Sequence, residues 1–251
     1  MNRKTSQYDL SFFNDCVVLI TGTHETNFGT GFVFAMSEKH SFIMTCAHVI
    51  DDVGGDKIMA KERVAEIVVK GNSSAIDLAV LKVERLPVDT YLSIRLFAET
   101  NDIVTVYGFR EEGKHISLRS VAAVIGEQAI FQNRSGKISM TAWDIAINSE
   151  HGLEPGYSGA PVVDMATQEV IGIIEYRKGI SKGIAIWAEN LLQIWPDTPI
   201  GEFSDQVQAR YNIDLLISRR QVRGNSQEAA LELVERVFLE RNKIIKSELN
   251  D

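Results

Sequence analysis

The 251-residue chain contains only two cysteines, Cys16 and Cys46. Small secreted domains that depend on disulfides for stability carry several cysteine pairs, so this chain does not belong to that class. We expect both thiols to behave as small buried hydrophobic side chains. The sequence also lacks the paired Cys/His spacing that is typical of a zinc site, and it predicts neither a metal ion nor a cofactor.

The chain also lacks a long hydrophobic run. No stretch approaches the roughly 18 consecutive apolar residues that would indicate a transmembrane helix. Residues 1–22 begin with basic side chains but contain no apolar segment of signal-peptide length. Together with the scarcity of cysteine, this predicts a protein of the reducing cytoplasm that does not interact with membranes.

Positive charge is not in excess either. The sequence has 26 Lys and Arg residues against 34 Asp and Glu residues, which gives a formal net charge of −8. Proteins that bind nucleic acids neutralise phosphates with clustered basic residues. The composition therefore predicts no nucleic-acid partner.

A succession of short β-like segments fills the chain between residues 16 and 195. Segments of 4–8 residues rich in Val, Ile and Phe alternate with Gly, Asn, Asp and Ser, which is typical of an all-β sandwich or barrel. The segment at residues 41–50 (SFIMTCAHVI) is one of these predicted strands. Residues 190–195 (NLLQIW) predict a short helix that closes this region.

The strand pattern stops beyond residue 199. Residues 227–249 place apolar side chains at helical spacing, and Asn225 or Ser226 is a suitable N-cap. We therefore predict one domain at residues 12–198, followed by a helical C-terminal extension at residues 199–251. Two interpretations of the extension stay open: a helix that packs on the domain, and a docking element for a partner.

Three short blocks carry side chains suited to nucleophilic catalysis. They contain His48 (TCAHVI), Asp77 (DLAVLKV) and Ser158 (PGYSGAPVV). A serine hydroxyl needs a neighbouring imidazole to remove its proton, and that imidazole needs a carboxylate to hold its tautomer. Glycines beside the serine allow backbone N–H groups to form an oxyanion hole.

Each block alone has an ordinary structural interpretation. A lone histidine on an apolar strand is usually a core residue, and a serine between glycines usually marks a turn. The combination of the three blocks favours catalysis. Asp51 or Asp52 is the alternative orienting carboxylate if Asp77 lies elsewhere.

The three blocks, in the order His, Asp, Ser, resemble those of the trypsin-like serine peptidases, over about residues 12–196. The resemblance is strongest to the disulfide-poor bacterial branch that includes the HtrA-type proteases. It implies a mainly β, chymotrypsin-like fold of two six-stranded antiparallel β-barrels, at about residues 12–100 and 101–198. It also implies a serine endopeptidase that cleaves protein substrates through an acyl-enzyme intermediate.

The resemblance assigns roles to particular residues. His48 becomes the general base, Asp77 its orienting carboxylate and Ser158 the nucleophile, and the N–H groups of Gly156 and Ser158 become the oxyanion hole. The substrate-binding positions that it implies are Gly152 at the pocket floor, Gly183 at the far wall, and Glu175 and Tyr176 on a strand that pairs with the substrate.

Two features depart from the pattern of digestive trypsin relatives. Tyr157 stands where those enzymes carry the Asp that binds the new N-terminus after zymogen cleavage, so this activation route is absent. The pocket floor lacks the Asp of trypsin, although Glu154 or Glu175 is an alternative source of negative charge.

The same resemblance extends to bacterial protease domains linked to large NTPases in anti-phage defence. It implies a protease of restricted specificity that a regulatory partner, such as a sensor NTPase bound through the C-terminal helix, switches on. The alternative function is a catalytically silent binding or adaptor module with a protease fold. An esterase would share the same chemistry.

Overall fold

The structure, a computed structural model, describes residues 10–196 except residues 25, 89, 96–97, 133–138, 150–151 and 179–180. The chain divides into two units between Pro196 and Asp197, and the described residues all belong to the first unit. The helical extension predicted for residues 199–251 lies outside them, and the predicted domain limits stay a prediction. None of the helices in the described ranges has the length and apolar character needed to span a membrane.

The first half of the chain forms a closed barrel of six antiparallel strands. Its helices are α1 (Leu10–Cys16), which precedes the barrel, and α2 (Ala47–Asp52). Its strands are β1 (Val17–Thr21), β2 (Gly29–Met36), β3 (His40–Thr45), β4 (Ile58–Ala60), β5 (Arg63–Lys70) and β6 (Ala79–Glu84). They follow one another around the barrel in the order β1-β2-β3-β6-β5-β4.

The second half forms another closed six-stranded antiparallel barrel, in the order β10-β11-β12-β9-β8-β7. Its strands are β7 (Ile103–Glu112), β8 (His115–Gln132), β9 (Ser139–Ile147), β10 (Pro161–Asp164), β11 (Val170–Lys178) and β12 (Lys182–Trp187). A 3-10 helix (Ala188–Asn190) and α3 (Leu191–Ile194) follow, which confirms the short helix predicted for residues 190–195. The two barrels confirm the predicted mainly β, chymotrypsin-like fold.

Each barrel has its own apolar core, built from side chains on the inner faces of its strands. Fully buried members of the first core include Val18, Ile20, Phe32, Ile43 and Leu81. In the second core, the rings of Trp143 and Trp187 meet edge to face with centroids 6.1 Å apart. Burying one large aliphatic or aromatic side chain stabilises a fold by about 1.5–3 kcal/mol, so these cores account for the closed barrels.

The predicted elements differ from the observed ones near His48. The strand predicted to run through residue 50 ends at Thr45, where its pairing with β6 also ends, and His48 lies instead in α2. Cys46 keeps an extended backbone and serves as the N-cap of this helix. The helix α1 and the three-residue strand β4 were not predicted. Both cysteines are buried and unpaired, as predicted.

The segment between the two barrels is bonded to both of them. The N–H of Leu92 donates to the carbonyl of Val33 in β2 at 2.9 Å. Further along, the N–H of Arg95 donates to the carbonyl of Val170 in β11 at 2.7 Å. The Arg95 guanidinium also contacts the carboxylates of Asp102 and the buried Asp164. These contacts hold the two barrels in one arrangement.

Candidate active site

The three predicted catalytic side chains line a single cleft of about 450 Å³. The first barrel contributes His48 and Asp77, and the second contributes Ser158. The remaining lining residues are Ser73, Leu153, Glu154, Pro155, Tyr157, Ile174 and Glu175. The fold thus brings together residues that lie more than a hundred positions apart in the chain.

His48 and Asp77 meet because β3 and β6 are neighbours in the first barrel. Thr45, the last residue of β3, pairs with Ala79, the first residue of β6. His48 follows the one strand and Asp77 precedes the other, so both lie at the same end of the pair. The Nδ1 atom of His48 lies 2.5 Å from Oδ2 of Asp77, and the His48 backbone N–H donates to Oδ1 at 2.8 Å. The carboxylate is therefore fixed through both oxygens.

The electrostatic surroundings of His48 favour its protonated form. Partial burial lowers the pKa of the imidazole, but the hydrogen bond to Asp77 and its charge outweigh burial and raise the pKa. The charges of Asp52 and Glu175 add to this effect. Asp77 is only 1% exposed, whereas 28% of the His48 side chain is exposed. The pair can accept a proton from the cleft while its carboxylate stays shielded from water.

Asp51 and Asp52, the alternative orienting residues, do not take the place of Asp77. The Asp51 carboxylate forms an ion pair with Lys70. Asp52 acts on His48 only through its charge, and its backbone carbonyl binds His24 and Asn27. Asp77 is the carboxylate that contacts the imidazole.

The loop that carries Ser158 depends on two glycines with left-handed backbone conformations. Gly156 has φ +100°, and a Cβ atom there would lie 2.3 Å from the Phe28 ring. Gly159 has φ +85°, and a Cβ atom there would lie 2.0 Å from the carbonyl oxygen of Thr30. Side chains rarely adopt such φ values, so both positions require glycine.

Thr30 in β2 links the first barrel to this loop, a role that the sequence analysis missed. Its hydroxyl donates to the carbonyl of Gly156 at 2.7 Å and accepts the N–H of Phe109 at 2.9 Å. Its own N–H donates to the carbonyl of Ser158 at 2.9 Å. The side chain is fully buried. The signal in the sequence was a hydroxyl residue between two glycines in an otherwise apolar strand.

The Ser158 hydroxyl donates to the backbone carbonyl of Glu175 at 3.3 Å. Within the described ranges, Ser158 and His48 are not hydrogen-bonded to each other. Catalytic hydrogen bonds often tighten only when substrate binds, and rotation about χ1 redirects a serine hydroxyl. Within the same ranges, the N–H groups of Gly156 and Ser158 have no acceptor, which suits donors of an oxyanion hole.

Tyr157 anchors the other side of the loop. Its ring is buried in the second core and packs so closely on Gly108 that a Cβ atom there would lie 2.3 Å from it. Burial raises the pKa of the hydroxyl to about 12. This hydroxyl has no hydrogen-bond partner within the described part of the chain. Tyr157 therefore contributes packing, not charge, beside Ser158.

The four predicted substrate-binding residues occupy different surroundings. Glu175 lines the cleft. Gly183 is buried beneath Leu153, since a Cβ atom there would lie 2.6 Å from Leu153 Cδ1. Gly152 precedes Leu153 in the loop and is half-buried. Tyr176 is described by its backbone, which pairs with Ile184. Leu153, which was not predicted, lines the cleft, and the substrate-binding roles stay predictions.

Two glutamates of the cleft differ in their partners. Arg110 donates to Oε1 of Glu154 at 2.9 Å, so the charge of Glu154 is compensated. No donor or cation contacts the Glu175 carboxylate among the described side chains. Burial and the charge of Asp77 raise the pKa of Glu175 to about 7, while His48 acts in the opposite direction. The ionisation state of Glu175 therefore changes near neutral pH.

The side chains of Cys46, His48 and Asp77 hold their possible ligand atoms within 4.8 Å of one another. Burial, followed by the charges of Asp77 and Glu175, raises the pKa of the Cys46 thiol well above its ordinary value. The thiol donates to the carbonyl of Ile174 at 3.3 Å. A metal would require the thiolate and would compete with Asp77 for the imidazole. The cluster suits a histidine–carboxylate pair better than a metal centre.

Comparison with known proteins gives one family and several solved structures. The family described as trypsin-like peptidase domain matches residues 29–173, a range that contains His48, Asp77 and Ser158. No curated protein matches the chain.

The solved structures share the fold at low sequence identity. An inactive mutant form of Rv3671c from M. tuberculosis H37Rv is 22% identical, with a TM-score of 0.61 over 78% of this chain and 95% of that one. The active form of the M. tuberculosis Rv3671c protease is 21% identical, with a TM-score of 0.58 over 76% and 83%. The HtrA-type protease AlgW with a tripeptide is 22% identical, with a TM-score of 0.52 over 73% and 60%.

Proposed function

Because this chain belongs to the trypsin-like peptidase domain family and is a serine protease, we propose that His48, Asp77 and Ser158 form its catalytic triad. The observation that carries the proposal is the contact of both Asp77 oxygens with His48, at 2.5 and 2.8 Å, in the cleft that Ser158 lines. The substrates of a protease are proteins, and we propose that this one is an endopeptidase.

In the first half of the reaction, the Ser158 Oγ attacks the scissile carbonyl carbon while His48 Nε2 takes the hydroxyl proton. The electron pair of the carbonyl moves to its oxygen, which the N–H groups of Gly156 and Ser158 bind. Each such donor contributes about 2.7–4 kcal/mol in the transition state. Asp77 stabilises the imidazolium and keeps its own charge.

In the second half, the tetrahedral intermediate collapses and the bond to the leaving nitrogen breaks. His48 gives its proton to the leaving amine, and Ser158 is left as an acyl ester. His48 then removes a proton from water, which attacks the ester carbonyl carbon. The bond to Ser158 Oγ breaks, His48 returns the proton to that oxygen, and the carboxylic acid is released. The cycle ends with Ser158 and His48 in their starting protonation states, and it requires no cofactor.

A fluorescent fluorophosphonate, which phosphonylates activated serines with loss of fluoride, tests the triad. We expect it to label the wild-type protein and to leave Ser158→Ala unlabelled. Ser73→Ala is the matched control, because Ser73 lines the same cleft and has no part in the proposed chemistry. It should label at the wild-type rate. Labelling of Ser158→Ala at the wild-type rate would contradict the proposal.

A second candidate function is a catalytically silent adaptor with a protease fold. The observation that favours it is the hydrogen bond of the Ser158 hydroxyl to Glu175 instead of His48. An adaptor of this kind stays unlabelled in every condition although circular dichroism shows that it is folded.

We further propose that the protease is restricted in specificity and that a regulatory partner activates it in the bacterial cytoplasm during antiviral defence. The support is the resemblance to NTPase-linked protease domains, and the candidate docking element is the extension at residues 199–251. Faster labelling of Ser158 in a lysate of the source cell than in the purified protein is the expected result. Equal labelling of Ser158 in both samples would contradict activation by a partner.

A further inference from the structure

Glu175 places a second carboxyl group at the catalytic cleft. It follows Ile174 in β11 and lines the cleft together with His48, Asp77 and Ser158. Its backbone carbonyl accepts the Ser158 hydroxyl at 3.3 Å, so the residue is held next to the proposed nucleophile. Its side chain is half-buried, which limits the screening of its charge by water.

Of the described charged groups near Glu175, His48 is the one that can become cationic and act on its carboxylate. Asp77, before β6, is a buried carboxylate, and Asp52 of α2 is also negative. The thiol of Cys46, the N-cap of α2, is protonated at neutral pH. On the nucleophile loop, Glu154 is paired with Arg110, so that guanidinium is already engaged. Among the described groups that act on Glu175, His48 is the one that becomes positive during catalysis.

We propose that Glu175 is a positioning residue of the catalytic centre, whose ionised carboxyl group acts beside Asp77 to retain the proton on His48. It thereby shifts the lower pH limit of the protease upward. This inference deepens the proposed function and rests on the triad described above.

The sign of the effect follows from the charges. A negative Glu175 favours the imidazolium and raises the pKa of His48. Before substrate binds, His48 must be neutral to act as the base. The value of kcat/KM therefore rises with pH as His48 loses its proton. Glu175→Gln removes the charge with little change of shape, which lowers the pKa of His48. The acid limb of the pH profile therefore moves to lower pH in this variant.

The decisive experiment is an NMR titration of the His48 ring in the full chain, assigned with a His48→Gln variant. Glu175→Gln should titrate at lower pH than the wild type. Glu175→Asp keeps a carboxylate and should return the titration toward the wild-type position. Glu154→Gln is the matched control in the same cleft and should leave it unchanged, because Arg110 already compensates that charge.

The pH profile of kcat/KM is the second readout. One pH unit below the wild-type midpoint, Glu175→Gln should show more of its plateau activity than the wild type, by at most about threefold. The gain stays below this limit because Glu175, with a pKa of about 7, is itself partly protonated there. The limit is the size expected for a unit charge acting over several ångströms at a water-like dielectric constant. If Glu175 had a purely structural role, Glu175→Gln would lower kcat/KM at every pH without moving the midpoint of its rise at low pH. If Glu175→Gln fails to fold, Glu175→Ser, which also removes the carboxyl group, is used in its place.

Identical His48 titrations in the wild type and in folded Glu175→Gln would overturn the inference, whatever the activity. A shift to higher pH would overturn it as well. The titration needs no turnover, so failure of the inference is distinguishable from failure of the proposed function. Absence of fluorophosphonate labelling contradicts the function alone.

Discussion

The two barrels contribute to the active site in different ways. In the first barrel, His48 and Asp77 are joined by contacts of 2.5 and 2.8 Å that involve no residue of the second barrel. In the second barrel, the loop of Ser158 is held partly by Thr30, which belongs to the first. The base is thus assembled within one barrel, whereas the position of the nucleophile depends on how the two barrels pack. Three variants test this difference.

Asp77→Asn should cause the largest effect, because it breaks the pair within the first barrel. The amide can hold the imidazole in the wrong tautomer and cannot stabilise the imidazolium. In a well-studied serine protease the equivalent change lowers kcat by about 10⁴-fold, and we expect a loss of this order in peptide hydrolysis. Asp52→Asn, the control on α2, should lose little. A loss of less than about tenfold in Asp77→Asn would mean that another carboxylate orients His48.

Thr30→Val should cause an intermediate effect, since it breaks the connection between barrels and leaves the His48–Asp77 pair intact. Valine has nearly the same shape but loses the hydrogen bonds to Gly156 and Phe109. Fluorophosphonate labelling of Ser158 should slow by about 10- to 100-fold, less than for loss of a complete oxyanion donor. The NMR titration of His48 should stay close to that of the wild type.

Thr30→Ser keeps the hydroxyl and is the matched control for the valine variant. It should label at a rate near that of the wild type. If Thr30→Val labels equally fast, the loop is held without this side chain, and the proposed dependence on both barrels is wrong.

Tyr157→Phe should cause the smallest effect, because it changes only a buried hydroxyl of the second barrel. This hydroxyl has no partner among the described residues, so its removal should change the free energy of unfolding by about 1 kcal/mol or less, toward greater stability. Labelling should stay within about twofold. Tyr157→Ala, which removes the ring, should instead cost about 3–5 kcal/mol in urea denaturation. A large loss in the phenylalanine variant would show that the hydroxyl has a partner.

The fold was predictable because the strand signal is local. Short Val- and Ile-rich segments bounded by turn residues predict strands whatever their partners are. The helix around His48 was missed because the same apolar residues also suit a strand. Its start depends on where β3 stops pairing with β6, at Thr45 and Ala79, which is a property of the barrel.

The remaining parts of the site depend on contacts between distant positions. The hydroxyl of Thr30 meets the carbonyl of Gly156, 126 positions further along the chain. Leu153 covers Gly183 only because β12 and the nucleophile loop come together in the second barrel. Glu175 was considered as a source of negative charge, but the absence of an ion-pair partner for it among the described side chains is evident only in three dimensions. Motifs identify the reacting groups, and tertiary packing determines what supports them.

The two barrels also differ in the natural probes they contain. Both cysteines are buried in the part of the chain that forms the first barrel and its α1 helix. The indoles of Trp143 and Trp187, which meet edge to face, lie in the second. Thiol-exchange kinetics therefore report transient opening of the first barrel. In a Trp195→Phe variant, which removes the indole that contacts Phe42 of β3, tryptophan fluorescence follows loosening of the second. The order in which the barrels come apart is then measurable without an introduced label.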